Sequence, residues 1–196
     1  MRTRGWSLPE LLAALIVLGL VVAICAPATA EMMAEARAAA AAREVAATLQ
    51  AMRWRAVSTH RTHGLFFRLD ARGWHWFVVR DGNGNGLRTA EVRDGTDPTL
   101  SGPHRIEDRV EGLQVGFPPA LEIPAIPPRS GSIPDLGDPV KFGNSNLIAF
   151  SPLGTASSGT LYLTDRRYAL RAVVLFGPTV RIRVWRLDTR ESRWKL

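Results

Sequence analysis

The stretch Asp81-Gly82-Asn83-Gly84-Asn85-Gly86 puts an oxygen-bearing side chain at every second position and ends on glycine. A calcium loop opens this way, with hard oxygen ligands at its first, third and fifth positions and a glycine at the sixth for the sharp turn. Its twelfth position should supply a bidentate glutamate; here that position is Val92, and Glu91 comes one residue early. Strand-like segments flank the stretch where a calcium loop has helices. A β-turn is therefore the first reading, and a calcium site on Asp81, Asn83 and Asn85 the alternative. Of the histidines, His60, His63, His75 and His104, only the first two are close in sequence, and no carboxylate pair accompanies them. No bound metal is expected from that pattern. Ser151, Ser157 and Ser158 fall in a turn, where hydroxyls serve the backbone. The chain has no glycine-rich phosphate loop, nucleophile elbow or cysteine motif. Neither an enzyme nor a cofactor is predicted.

The charged residues are unevenly distributed. Residues 166–196 hold nine Lys and Arg against two Asp and Glu, so the chain's whole net charge of +7 lies there. Arg181, Arg183, Arg186, Arg190 and Arg193, with Lys195, form a basic strip that includes Trp185 and Trp194. Arginines neutralise phosphates and release counterions, and aromatics stack on exposed bases, so polyanion or DNA contact is one reading. The other is a solvated strand face and tail. Such asymmetry bears on partners rather than on fold.

The third grouping is Glu10 at the mouth of an apolar run. From Leu11 to Ala30, twenty residues, nothing is charged. As a helix the run is about 30 Å long, the thickness of a bilayer's hydrocarbon. Arg2 and Arg4 precede it and hold the N-terminus in the cytoplasm by the positive-inside bias. A carboxylate has no use in a bare anchor, because a lone charge at the bilayer centre costs about 2.5–3.5 kcal/mol. A secretory signal peptide and an ordinary signal-anchor share the basic start and apolar core, and both stand as alternatives. The run is long for the first, and Glu10 interrupts its start.

In Gly5, Trp6, Glu10 and the apolar helix behind them, the chain resembles the type IV pilin-like family of pilins, minor pilins and type II secretion pseudopilins. Phe150-Ser151-Pro152-Leu153-Gly154, followed by Gly159-Thr160-Leu161-Tyr162-Leu163, is similar to a stretch of the pseudopilin H and FimT-like minor pilins. The resemblance implies a leader of residues 1–5, cut after Gly5 by the prepilin peptidase, and N-methylation of Trp6. Trp6 stands where phenylalanine is usual, and Pro9 is an uncommon neighbour. Pro27 falls where many pilins carry a helix-loosening proline. The lone cysteine, Cys25, permits no intrachain disulfide, which leans toward a minor pilin or pseudopilin. The implied function is a subunit of a type II secretion pseudopilus or type IV pilus, with Glu10 acting in assembly. Other pilins, the peptidase and inner-membrane lipid are the implied partners. The implied place is the bacterial inner membrane, single-pass, with the C-terminal domain periplasmic until it enters a filament. Some FimT-like minor pilins bind DNA through C-terminal basic residues near a Gly-Arg-x-Arg motif. Here Arg181-Ile182-Arg183 keeps the Arg-x-Arg but stands apart from Gly177.

The elements that must position these groups are those of an α+β fold: a long helix packed on an antiparallel β-sheet. Residues 6–30 form the transmembrane or filament-core helix, and 31–196 one globular domain. Within it, the alanine-rich stretch 34–42 favours helix over 31–60, with Val45, Leu49, Met52 and Ala56 on one face. The sheet spans 64–186. Leu65–Leu69 and Trp74–Val79 read as a hairpin around Asp70-Ala71-Arg72-Gly73. Leu87–Val92 and Arg105–Phe117 are weaker strand candidates. Residues 118–145 contain seven prolines and read as a surface loop. Four more strands follow, at 146–150, 160–164, 169–176 and 179–186, and residues 187–196 form a basic tail.

Overall fold

The computed structural model describes residues 7–119, 122–143, 145–189 and 191–196. One helix, α1, runs unbroken from Leu8 to Thr59, 52 residues. Pro27 lies inside it without ending it, although its missing N–H forfeits one helical bond. The helix changes character along its length. Residues 8–30 are exposed throughout, and burial begins with Ala34 and continues through Ala38, Ala41, Ala42, Val45, Leu49, Met52 and Ala56. The expected face is thus the buried one, extended toward the N-terminus by alanines whose small side chains let the strands approach. The helix ends at His60, in the left-handed conformation at φ 51°.

Two antiparallel sheets pack on this half of α1. The first contains β1 (His63–Asp70), β2 (Gly73–Arg80), β3 (Thr99–His104) and β6 (Leu147–Phe150) in the order β3-β2-β1-β6. The hairpin between β1 and β2 closes on the pair Asp70 and Gly73, as its turn residues imply. The second sheet runs β10-β9-β8-β7-β4, from β4 (Gln114–Val115), β7 (Gly159–Thr164), β8 (Leu170–Phe176), β9 (Arg181–Asp188) and β10 (Arg193–Lys195); β5 (Val140–Lys141) also pairs with β7. Leu65, Phe67, Trp76 and Val78 of the first sheet and Leu161, Leu163, Val173 and Leu175 of the second meet the helix in one core.

Several expectations are corrected. The single sheet over 64–186 is two sheets that reach Lys195. Leu87–Val92 is not a strand: Thr89–Asp94 forms the short helix α2, stopped by Gly95 at φ 89°. Arg105–Phe117 contributes only the two residues of β4, while β3 lies just before it. The tail 187–196 completes β9 and returns as β10. The proline-rich segment has little regular structure, as expected, but it is no free loop. Ile123, packed with Ile126, Ile133 and Phe117, covers the face of the second sheet away from α1, against Tyr162, Leu170, Ala172, Leu187 and Trp194.

Gly64 is where β1 and β6 need the absence of a side chain. A Cβ there would stand 2.2 Å from the Ile148 carbonyl oxygen and 2.7 Å from Leu87 Cδ1. Gly64→Ala is expected to cost about 1–3 kcal/mol by overpacking, read as a lower thermal midpoint of the detergent-solubilised full chain. Gly116→Ala, whose new methyl would meet nothing closer than 3.9 Å, is the tolerated comparison.

Candidate functional site

Glu10 is the third residue of α1, and the chain before it explains its conformation. Ser7 is the N-cap with extended backbone, and Pro9 sits in the first turn, where its lack of an N–H costs nothing. The Glu10 carboxylate turns back, and its Oε2 accepts from the Ser7 N–H at 2.8 Å and from the Ser7 hydroxyl at 2.7 Å. A carboxylate there meets the positive end of the helix dipole as well. Within one chain, then, Glu10 is a helix cap. Among the described residues, no donor meets its other oxygen, Oε1. Gly5 and Trp6 lie outside the described residues.

Behind Glu10, Leu11, Leu12, Leu15, Ile16, Val17, Leu18, Leu20, Val21, Val22 and Ile24 are all exposed, each by 48% or more. None of this half of the helix is buried. It is long and apolar enough to cross a membrane. A contiguous apolar surface of that size is out of place in water and marks a membrane or protein contact. Cys25 lies on it as an exposed free thiol.

The loop at Asp81 is organised around hydrogen bonds. Asp81 Oδ1 accepts the N–H groups of Asn83 at 3.1 Å and Gly84 at 2.7 Å, and Oδ2 that of Gly86 at 2.9 Å. The buried Asp97 accepts those of Gly82 and Arg88. The side-chain amides of Asn83 and Asn85 donate to the two oxygens of Glu91, at 3.0 and 2.9 Å. Every carboxylate in the loop thus has a donor, an arrangement that supports the turn reading. Among the described residues no group of three or more His, Cys, Asp or Glu side chains could hold a metal ion.

The histidines are scattered. His60 caps α1, His75 Nδ1 stands 3.4 Å from Asp70 Oδ2, and His104 Nε2 lies 3.0 Å from the Ser101 hydroxyl. His63 is buried beside the last turn of α1, with Nε2 2.9 Å from Thr59 Oγ1. The three serines serve the backbone: Ser151, Ser157 and Ser158 hydroxyls accept the N–H groups of Leu153, Ala149 and Gly177.

The basic strip is not one surface. Arg181 and Arg183 lie on the face of β9 away from α1, with Trp185 and Leu187. Arg186 lies on the helix side, across from Arg171, and Arg193 shares that side through its pairing with Asp188. Arg190 is outside the described residues. Trp194 is only 4% exposed and its Nε1 donates to the Pro124 carbonyl at 2.7 Å, so it cannot stack on a base. Trp185 is half-buried beside the same cluster. The proline-rich cover, with Ile123, Ile126 and Ile133 between its prolines, is the element the sequence reading missed. Those spaced isoleucines were the available signal.

No protein-family model matches the chain, and no curated protein or solved structure matches it.

Two outcomes follow from this geometry. Asp81→Ala strands three N–H groups and is expected to lower stability by about 1–3 kcal/mol. Millimolar calcium should leave the thermal midpoint of the unaltered protein where it is, whereas a rise would restore the metal reading. The second concerns pH. Burial, then the cations Arg55 and Arg80, lower the pKa of His63 below its ordinary 6.5. The unfolded chain therefore takes up the proton first, so stability is full above that value and declines as pH falls through it. Chemical unfolding across that range should show the decline, and His63→Gln should flatten it.

Proposed function

We propose that the protein is a minor pilin or pseudopilin, a structural subunit that assembles into a type II secretion pseudopilus or type IV pilus after cleavage and N-methylation. One observation carries the reading: a single unbroken helix is bare and apolar over its first half and forms the core of an α+β domain over its second. A signal sequence has no need to be continuous with the core of the mature fold, and a soluble core helix would not leave its most apolar half exposed.

The mechanism combines the apolar surface with one charge. Residues 11–30 serve first as a single-pass anchor in the inner membrane, with the domain on the periplasmic side, and then as filament core. Cleavage after Gly5 makes the Trp6 amine a cation, and Glu10 is the anion within reach of a neighbour's amine. Unpaired, each is costly in an apolar bundle; paired between subunits, each offsets the other and sets axial register. Ser7 occupies only Oε2 of Glu10, which leaves Oε1 for that contact.

The alternative, a DNA-binding minor pilin, keeps Arg181 and Arg183 on an exposed face but loses Trp194 as a stacking platform. The observations favour the assembly role.

The test is made in the native host. Mass spectrometry of the mature protein is expected to find a methylated Trp6 as its first residue, and any other start overturns the proposal. Glu10→Ala should still insert in the membrane but drop out of sheared filaments. Normal incorporation would remove Glu10 from the mechanism.

A further inference from the structure

On the reading of α1 as a membrane anchor, the end of the domain nearest the bilayer is set by contacts on the helix just past Ala30. Glu31 is already partly buried, and Glu35 binds Arg171 of β8 at 2.7 Å. Glu35 lies five helical steps past Ala30, about 7.5 Å, which places that ion pair close to the headgroup layer.

Arg171 begins a row of cations. It stands directly across from Arg186 on β9, which stands across from Lys195 on β10, all on the helix side of the sheet. Like charges opposite one another on neighbouring strands destabilise a sheet. The two outer members have acids: Glu35 for Arg171, and Asp188 and Glu191 for Lys195, at 2.7 and 3.0 Å. Arg186, between them, has no carboxylate within ion-pair distance among the described residues. The turn leading into β8 adds Arg166 and Arg167, both exposed, and Arg193 is exposed at the start of β10. The acid of that turn, Asp165, accepts the N–H groups of Arg167, Tyr168 and Ala169 on its Oδ1.

We propose that Arg166, Arg167, Arg186 and Arg193 form a membrane-facing basic edge that contacts anionic phospholipid headgroups on the side of the bilayer where the domain lies. The helix brings this edge to the lipid, and the phosphates compensate Arg186, the member of the row without an acid among the described residues, together with the exposed arginines beside it. The contact holds the domain down on the bilayer while the subunit is stored there. It is lost when the helix leaves for a filament. The inference rests on the anchor reading, but it concerns a different surface from Glu10.

The experiment uses the full chain in nanodiscs of phosphatidylcholine alone or mixed with phosphatidylglycerol, with hydrogen exchange as readout. In the anionic discs, exchange over 165–171 and 186–195 should slow, by about fivefold for each arginine engaged, and the protection should vanish in high salt. Arg186→Gln with Arg193→Gln should lose most of that protection while the thermal midpoint stays level or rises, because like-charge repulsion in the row is relieved. A purely structural role would lower the midpoint instead. Arg181→Gln with Arg183→Gln, on the opposite face, should change nothing. Equal exchange in the two lipids, with the helix inserted, overturns the proposal. So does equal protection by inorganic phosphate, or protection by duplex DNA in the neutral discs without any by phosphatidylglycerol. Failure of the chain to co-elute with discs would count against the anchor reading instead.

Discussion

One helix must satisfy two surroundings, and the fold is arranged around that demand. Its second half needs the sheets: Val45, Leu49 and Met52 each contribute about 1.5–3 kcal/mol by leaving water. The alanines at 34, 38, 41, 42 and 56 contribute less area but allow close approach of the strands. Its first half gains nothing from the domain, because no strand reaches it. Continuity of the helix couples the two. Whatever surrounds residues 8–30 therefore fixes where the domain stands, since no linker intervenes to decouple them.

The carboxylates fall into two kinds, and the division explains much of the surface. Asp81, Asp97 and Asp165 are spent on backbone N–H groups, where they replace helical or strand partners that loops do not have. Glu35, Glu44 and Asp70 instead reach arginines of distant segments, Arg171, Arg109 and Arg105. Partly exposed pairs of this kind add little net stability; two of them tie α1 to the segments packed against it, and the third ties β1 to the segment after β3.

What could be read from the sequence was whatever repeats with a regular period or carries a turn signal. The buried face of α1, the Asp70–Gly73 hairpin and the strands with alternating apolar residues near the C-terminus all belong to that class. The misses have physical causes. Helix α2 is too short to show a period, and β3 is an edge strand with Gly102 and Pro103 inside it and no buried residue. In the 118–145 segment the prolines mask the isoleucines, because proline forbids a central strand without forbidding packing on a sheet. Trp194 read as part of a basic tail because the acceptor of its indole N–H, Pro124, belongs to that segment, 70 residues away. The basic strip was read along the chain, whereas alternation along β9 sends its neighbours to opposite faces. At the start of α1, the bond between Ser7 and Glu10 follows from the serine three residues before the acid.

That bond also bears on how a bare helix could be recognised. Lipid tails are as apolar as leucine, so in a bilayer no hydrophobic force drives one such helix onto another. Close packing and polar groups must supply the preference. Along residues 8–30 the only charged side chain is Glu10, while six alanines, Gly19 and Thr29 offer small side chains for close packing, most of them toward the C-terminal end of the run. On the proposed reading, the charged part of that preference falls on one carboxylate, which must be kept from pairing indiscriminately while the subunit waits. The reach-back to Ser7 does this: it satisfies one oxygen locally, holds the side chain at the helix end, and makes a partner compete for the other. An amine placed at the matching height offers a full opposite charge where Ser7 offers only dipoles. Exchange from cap to ion pair is then favourable at one register and unfavourable at the rest.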